Sequence, residues 1–220
     1  CWAFSTAESL EGQMRLNGYL VNVSTQQFVD CVTVDDGCGG GWMDDALAYA
    51  EKHGVENDTA YPYKGVTQDC NADPTAASIR PTVYVEIPPS DDALRRALIT
   101  IGPVSIALDA TMNFQSYDPT QSPIFNDPTC DPTAPDHALL LVGYNNEENY
   151  WIVKNSWNTD WGLDGYIYIN STLPNVCGIS GFAVVPYIAP ETWEEEWERV
   201  EGHLEGLVWG SRVPIGMANI

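Results

Sequence analysis

The chain has 220 residues, 44% of them hydrophobic, which is enough to bury a substantial core. Its net charge of −22, from 31 acidic against 9 basic side chains, leaves no basic face on which nucleic acid or an anionic membrane surface could be held. No apolar run approaches the ~18 residues of a membrane span. The acidity is read as a solvated surface, whose self-repulsion would ease in an acidic compartment as carboxylates protonate. No signal peptide is visible, but the chain opens inside a motif, so that silence carries no weight.

Helical spacing comes first. Phe4, Ala7, Leu10 and Met14 recur along residues 2 to 16, and Asn17-Gly18 offers residues that tolerate the geometry of a helix end. Ser24 with Gln27 three residues on reads as a capping box opening a second helix. A third helix is expected from about Met43 to His53. Asp44 and Asp45 fall in its first turn, Lys52 and His53 in its last, and Gly54 follows, an order that suits the helix dipole. A loop rich in Pro, Asp and Thr is expected from Glu56 to Pro89, then a short helix capped at Ser90-Asp91-Asp92 and ending near Ile101-Gly102-Pro103. Beyond it the signal turns to strands at Val104 to Leu108, His137 to Tyr144, Tyr150 to Asn155, Gly165 to Asn170 and Gly181 to Tyr187. Helices followed by strands point to an α+β protein of two lobes, with a site in the cleft between them. From Pro190, Trp193, Trp197, Val200, Leu204 and Leu207 share one helical face among glutamates. Residues 188 to 220 therefore read as an acidic amphipathic extension, weakened by Gly202 and Gly206, that docks on the same chain or on a partner.

The six cysteines include no C-x-x-C pair, so neither a zinc site nor a redox motif is indicated, and no metal or cofactor is expected. Gly39-Gly40-Gly41 has no lysine after it and is no phosphate loop. Sequons at Asn22, Asn57 and Asn170, with the scattered cysteines, favour a secretory, disulfide-forming compartment.

Cys1 opens the first helix, where the positive partial charge of a helix N-terminus favours a thiolate; a disulfide role is the alternative. Of the histidines, His53 is explained by its helix C-terminus and His203 by solvent in the acidic tail. His137 follows Asp136 at the mouth of the apolar segment Ala138 to Tyr144, where it could be held rigidly at a cleft edge or serve only the core. Asn155-Ser156-Trp157 ends a strand. The amide could fix an imidazole, with the indole screening the bond, although asparagine is also a common turn residue.

In combination these segments resemble the papain and cathepsin family of cysteine peptidases. The resemblance rests on Cys1-Trp2-Ala3-Phe4-Ser5, Ser24 to Cys31, Gly37-Cys38-Gly39-Gly40-Gly41-Trp42 and Tyr61-Pro62-Tyr63. It continues through Gly102-Pro103-Val104-Ser105, Asp136-His137-Ala138, Asn155-Ser156-Trp157, Trp161-Gly162 and Cys177-Gly178-Ile179, and spans about residues 1 to 187. It implies a two-lobed papain-like α+β fold, with a helical lobe over about 1–88 and an antiparallel β-barrel-like lobe over about 89–187. It implies peptide-bond hydrolysis by endopeptidase action, with Cys1 as nucleophile, His137 as its ion-pair partner and Asn155 as the group orienting it. The backbone N–H of Cys1 would serve the oxyanion.

The resemblance also places Gly40, Gly41 and Trp157 along the substrate, with Trp42, Met43, Ala107, Ala138 and Phe182 around an apolar main specificity pocket. It pairs Cys31 with Cys70 and Cys130 with Cys177. Partners implied are protein and peptide substrates, a propeptide and cystatin-like inhibitors. The protein is expected to be a monomer, without nucleic acid or a transmembrane segment, in a lysosome or vacuole or secreted. The family has a glutamine and a cysteine just upstream of the nucleophile. On that reading the 220-residue chain is truncated, impaired in activity and left with Cys38 unpaired. Alternatives are an exopeptidase of the same family, a non-catalytic relative, and an N-terminal-nucleophile hydrolase using the amine of Cys1.

Overall fold

In the computed structural model, which describes residues 1–189, the first helix, α1, runs Trp2–Leu16 and buries Trp2, Ala3, Ala7 and Leu10 along one face. The second, α2, spans Thr25–Cys31 and the third, α3, Met43–His53, ending at Gly54 with φ 75°. A carbonyl from Ala77 crosses where a side chain on Gly54 would stand, so glycine is required there on both counts. Ser24 caps α2 by accepting from the Gln27 N–H, but the return half of the expected capping box is not made. The Gln27 carboxamide instead accepts from Glu56 N–H and donates to Gly54 O and Tyr49, while Ser24 N–H donates to Glu56 O. A buried glutamine satisfied by three distant partners outcompetes the local return bond.

The loop expected over Glu56 to Pro89 needs correction, since it contains strand β1, Val83–Glu86. Val83, Tyr84 and Val85 are all buried and give no alternation to read, and pairing with the last strand of the chain secures the strand. The remaining elements are α4 (Asp91–Thr100, capped by Ser90), β2 (Val104–Leu108), α5 (Met112–Gln115), β3 (His137–Asn145), β4 (Tyr150–Lys154), β5 (Tyr166–Asn170) and β6 (Phe182–Tyr187). The short helix α5 had no counterpart in the sequence reading. Asn155, Gly165 and Gly181 stand just outside the strands expected to hold them. Among the described residues the strands form one antiparallel sheet in the order β1-β6-β2-β3-β4-β5. The acidic helix expected from Pro190 onward, with His203, lies outside the described residues.

Two apolar cores hold these parts. One lies on the sheet beneath α4 and α5, around Leu94, Ile106, Phe114, Leu141, Trp151 and Ile167. The other packs α1, α2 and α3 together and reaches the sheet through Tyr84, Ala107, Ala138 and Val184. Helix α1 is thus seated against the sheet, with Ser5 Oγ donating to Leu139 O of the strand that begins with His137. Disulfides join Cys31 to Cys70, with Cα atoms 4.8 Å apart, and Cys130 to Cys177, at 5.2 Å. Cys1 and Cys38 are free and exposed. Among the described residues no helix is long and apolar enough to cross a membrane, and no cluster of potential metal ligands occurs.

Candidate active site

Cys1 occupies the N-cap of α1, its carbonyl accepting from Ser5 N–H at 2.9 Å and its thiol exposed. Burial pulls the pKa of its amino group down, against a smaller opposing effect of Cys38. His137, only 7% exposed, begins β3 opposite Leu108 of β2. Its Nε2 lies 2.8 Å from Asn155 Oδ1. That oxygen also accepts from Ser156 N–H at 2.8 Å, which fixes the amide as oxygen toward the ring. Nε2 must therefore donate, and Nδ1 is the nitrogen left for another partner.

Burial lowers the His137 pKa most. The bond to Asn155 works the other way, the Cys1 amino group lowers it further and Asp136 raises it. The charge at residue 1 and the ring at residue 137 thus feel each other. Trp157 stacks on the imidazole, with centroids 4.6 Å apart and planes 26° from parallel, and Phe114 of α5 meets the ring edge-on at 6.1 Å. This aromatic wall, continued by Trp161 at 5.4 Å from Trp157, keeps water off the His137–Asn155 bond.

The strands explain why these residues meet. Asn155 follows the last residue of β4, so its N–H leaves the ladder and donates to Gly165 O at 2.9 Å. The register of β2 places Ala107 between Ala138 of β3 and Phe182 of β6, a row across three adjacent strands. Met43, 1% exposed, belongs to the same core as this row, and the Trp42 ring stands 4.9 Å from that of Phe182. Of the five residues expected around the specificity pocket, Ala107, Ala138 and Phe182 form this row, Trp42 stands against Phe182, and Met43 belongs to the same apolar cluster. Gly40 has φ 139° and open space where a side chain would stand, whereas a Cβ on Gly41 would strike Trp2 and Asp35. Gly41 is needed for packing, and Gly40 presents bare backbone. Trp2 also ties α1 to this loop by donating from Nε1 to Gly37 O at 2.9 Å. Asn22 and Asn57 are exposed, and Asn170, half-buried, accepts from Thr172 of its own sequon at 2.7 Å.

Sequence reasoning missed what holds α5. Asp127, buried, accepts from Thr111 Oγ1 at 2.6 Å and Asn113 Nδ2 at 3.1 Å, the N-cap and a residue of the single turn that carries Phe114, and from Thr129 N–H and Oγ1. Burial pushes its carboxyl up, but these bonds outweigh it and pull the pKa down to about 2. Because the folded value is depressed, the stabilisation is complete above the unfolded value near 3.8 and is lost as pH falls toward 2. Thermal melts should show the parent more stable than Asp127→Asn at neutral pH, with the gap closing between those two pH values. A gap independent of pH would contradict the assignment. The aspartate followed two residues on by threonine is the signal that could have been read, as an Asx turn.

Known proteins resemble this chain along most of its length. The family model described as papain family cysteine protease matches residues 1–187. Cathepsin L of Sarcophaga peregrina is 40% identical over 197 residues, 86% of this chain and 57% of that protein. Digestive cysteine proteinase 3 of Homarus americanus is 40% identical over 195 residues, 86% of this chain and 60% of that one. Among solved structures, digestive procathepsin L2 proteinase from Tenebrio molitor larval midgut superposes with a TM-score of 0.80 at 42% identity, over 85% of this chain and 61% of that one. The Carica candamarcensis cysteine protease CMS1MS2 in complex with E-64 gives 0.76 at 35% identity, over 86% and 88%. The chain spans somewhat over half the length of the curated relatives it matches. With the family model covering residues 1–187 and identities of this size, the chain belongs to the papain family of cysteine proteases.

Proposed function

We propose that the protein hydrolyses internal peptide bonds through Cys1, His137 and Asn155. The observation that carries this reading is the 2.8 Å contact between His137 Nε2 and Asn155 Oδ1 under the Trp157 ring, which leaves Nδ1 for a thiol at the helix N-terminus. The Cys1 thiolate, favoured by the dipole of α1, attacks the scissile carbonyl carbon and forms a C–S bond. The imidazolium of His137 gives its Nδ1 proton to the leaving amine as the C–N bond breaks. Water then attacks the thioester, surrendering a proton to His137, and the C–S bond breaks to free the acid and the thiol. Asn155 fixes the ring orientation throughout, so Nδ1 faces the sulfur in both halves. Gly40 offers backbone to an extended substrate, and the side chain two residues on the amino side of the scissile bond enters the pocket of Trp42, Met43, Ala107, Ala138 and Phe182, which favours an apolar group. Residues 1–187 form the peptidase domain, helical over about 1–88 except for β1, which joins the sheet of the β part over about 89–187. Disulfides, sequons and relatives named as cathepsins and digestive proteinases support a lysosomal, vacuolar or secreted setting. The relatives solved as procathepsins support a propeptide, and the family supports cystatin-like inhibitors and a monomeric enzyme.

An epoxide inhibitor of thiol proteases tests the core of the reading on the full-length protein. One label on Cys1, lost in His137→Ala, is expected. Absence of label on Cys1, or labelling indifferent to His137, would refute the assignment.

A further inference from the structure

Two contacts fasten the helix of Cys1 to the strands of its proposed partners. Ser5, one turn into α1 and buried, donates from Oγ to Leu139 O on β3 at 2.7 Å, and its carbonyl accepts from Ser105 Oγ on β2 at 3.0 Å. The other contact is an ion pair. Glu8, two turns into α1 on the side of Cys1, meets Lys154, the last residue of β4 and the neighbour of Asn155. We propose that Glu8 and Lys154 are positioning residues for peptide hydrolysis: their ion pair sets the end of β4 against α1, and so sets Asn155 and His137 relative to Cys1. The proposal rests on reading Cys1, His137 and Asn155 as the reacting unit.

Asn155 has little else to hold it on this side. Its Oδ1 serves His137 and Ser156, but its buried Nδ2 has no hydrogen-bond partner among the described residues. A cavity of about 230 Å³ lies against Phe4, Glu8, Lys154, Asn155 and Ser156. The bond from Asn155 N–H to Gly165 O, just before β5, does not reach α1. The pair is sheltered, with side chains 14% exposed for Glu8 and 34% for Lys154, which spares it the screening that weakens surface pairs. Burial raises the Glu8 pKa and Lys154 opposes that rise. Glu11, the next carboxylate on α1, is committed elsewhere and accepts from Val23 N–H at 2.9 Å. A displacement of the order of 1 Å in a reacting geometry can cost ~10²-fold in rate, so a partial loosening should be readable.

The test uses the full-length, matured protein with active sites titrated by an epoxide inhibitor. Glu8→Gln is expected to lower kcat per titrated site about tenfold with KM within about twofold, the pattern of a lost transition-state alignment. The charge-exchanged Glu8→Lys/Lys154→Glu variant is expected to recover to within about threefold of the parent, because the pair and not either residue alone carries the effect. An unchanged kcat per site in Glu8→Gln, or no recovery in the exchange, overturns the proposal. If Glu8→Gln does not fold, Lys154→Arg keeps the charge while shifting its head. A kcat per site equal to the parent overturns the proposal and a fall of about threefold supports it. Cys1→Ala run alongside separates the two readings. If Cys1→Ala stays active, the catalytic assignment itself falls. If it is dead while Glu8→Gln matches the parent, only the positioning role falls.

Discussion

Cys1→Ala in the full-length protein is expected to lower kcat by roughly 10⁶-fold, the scale on which removing the nucleophile of a concerted unit acts. The residual rate would come from substrate binding and whatever stabilises the oxyanion, since neither depends on sulfur. His137→Ala should cost nearly as much. Without the imidazole, the thiol loses its counter-charge and the leaving amine loses its proton donor. The double variant should be no worse than either single one, because the two side chains act as one device and removing it twice removes nothing more. Asn155→Ala should cost less, roughly 10²-fold, since it disturbs the ring orientation and leaves both reacting groups in place. The aromatic wall of Trp157 and Phe114 would still confine the imidazole. Steady-state kinetics on a dipeptidyl fluorogenic substrate checks all four. Additive losses in the double variant, or near-parental turnover by Cys1→Ala, would dismantle the assignment.

The legible parts of the fold are those whose signal is local. Met43–His53 could be read to the residue because acidic first turn, basic last turn and Gly54 all act within one helix. The site was legible for a different reason: Cys1, His137 and Asn155 stand in segments specific enough to carry a family resemblance, whereas on their own each residue had an ordinary explanation. What escaped is non-local. Strand β1 exists through its pairing with β6, the last strand of the chain. Gln27 turns away from its own helix because Glu56, Gly54 and Tyr49 arrive from elsewhere in the chain. Helix α5 is a single turn, too short for periodicity to register, and is fixed by an aspartate beyond it. Glu8 looked like one more charge on a helix in an acidic protein. Only the fold shows it facing the lysine beside Asn155.

Phe182→Glu is expected to redirect the main specificity pocket from apolar side chains to arginine. Phe182 begins β6 opposite Ala107, and its ring is half-buried, standing 4.9 Å from the Trp42 ring. A glutamate at this position keeps its carboxylate near solvent, so the variant need not bury an unpaired charge. With an arginine substrate the carboxylate gains a charge-assisted, two-pronged partner worth about 1.5–3 kcal/mol. With leucine in the pocket, the same carboxylate loses solvation and the apolar wall is gone, a penalty of about 1–3 kcal/mol. The two effects have opposite signs for the two substrates. The ratio of kcat/KM for arginine over leucine should therefore rise by about 10²-fold or more. Phe182→Leu, which keeps the wall apolar, should leave the preference for a hydrophobic residue intact. A substrate library varied two positions before the scissile bond reads both outcomes at once. A parent profile dominated by arginine, or a Phe182→Glu profile still dominated by leucine, would mean that the cross-strand row of Ala138, Ala107 and Phe182 does not floor the pocket.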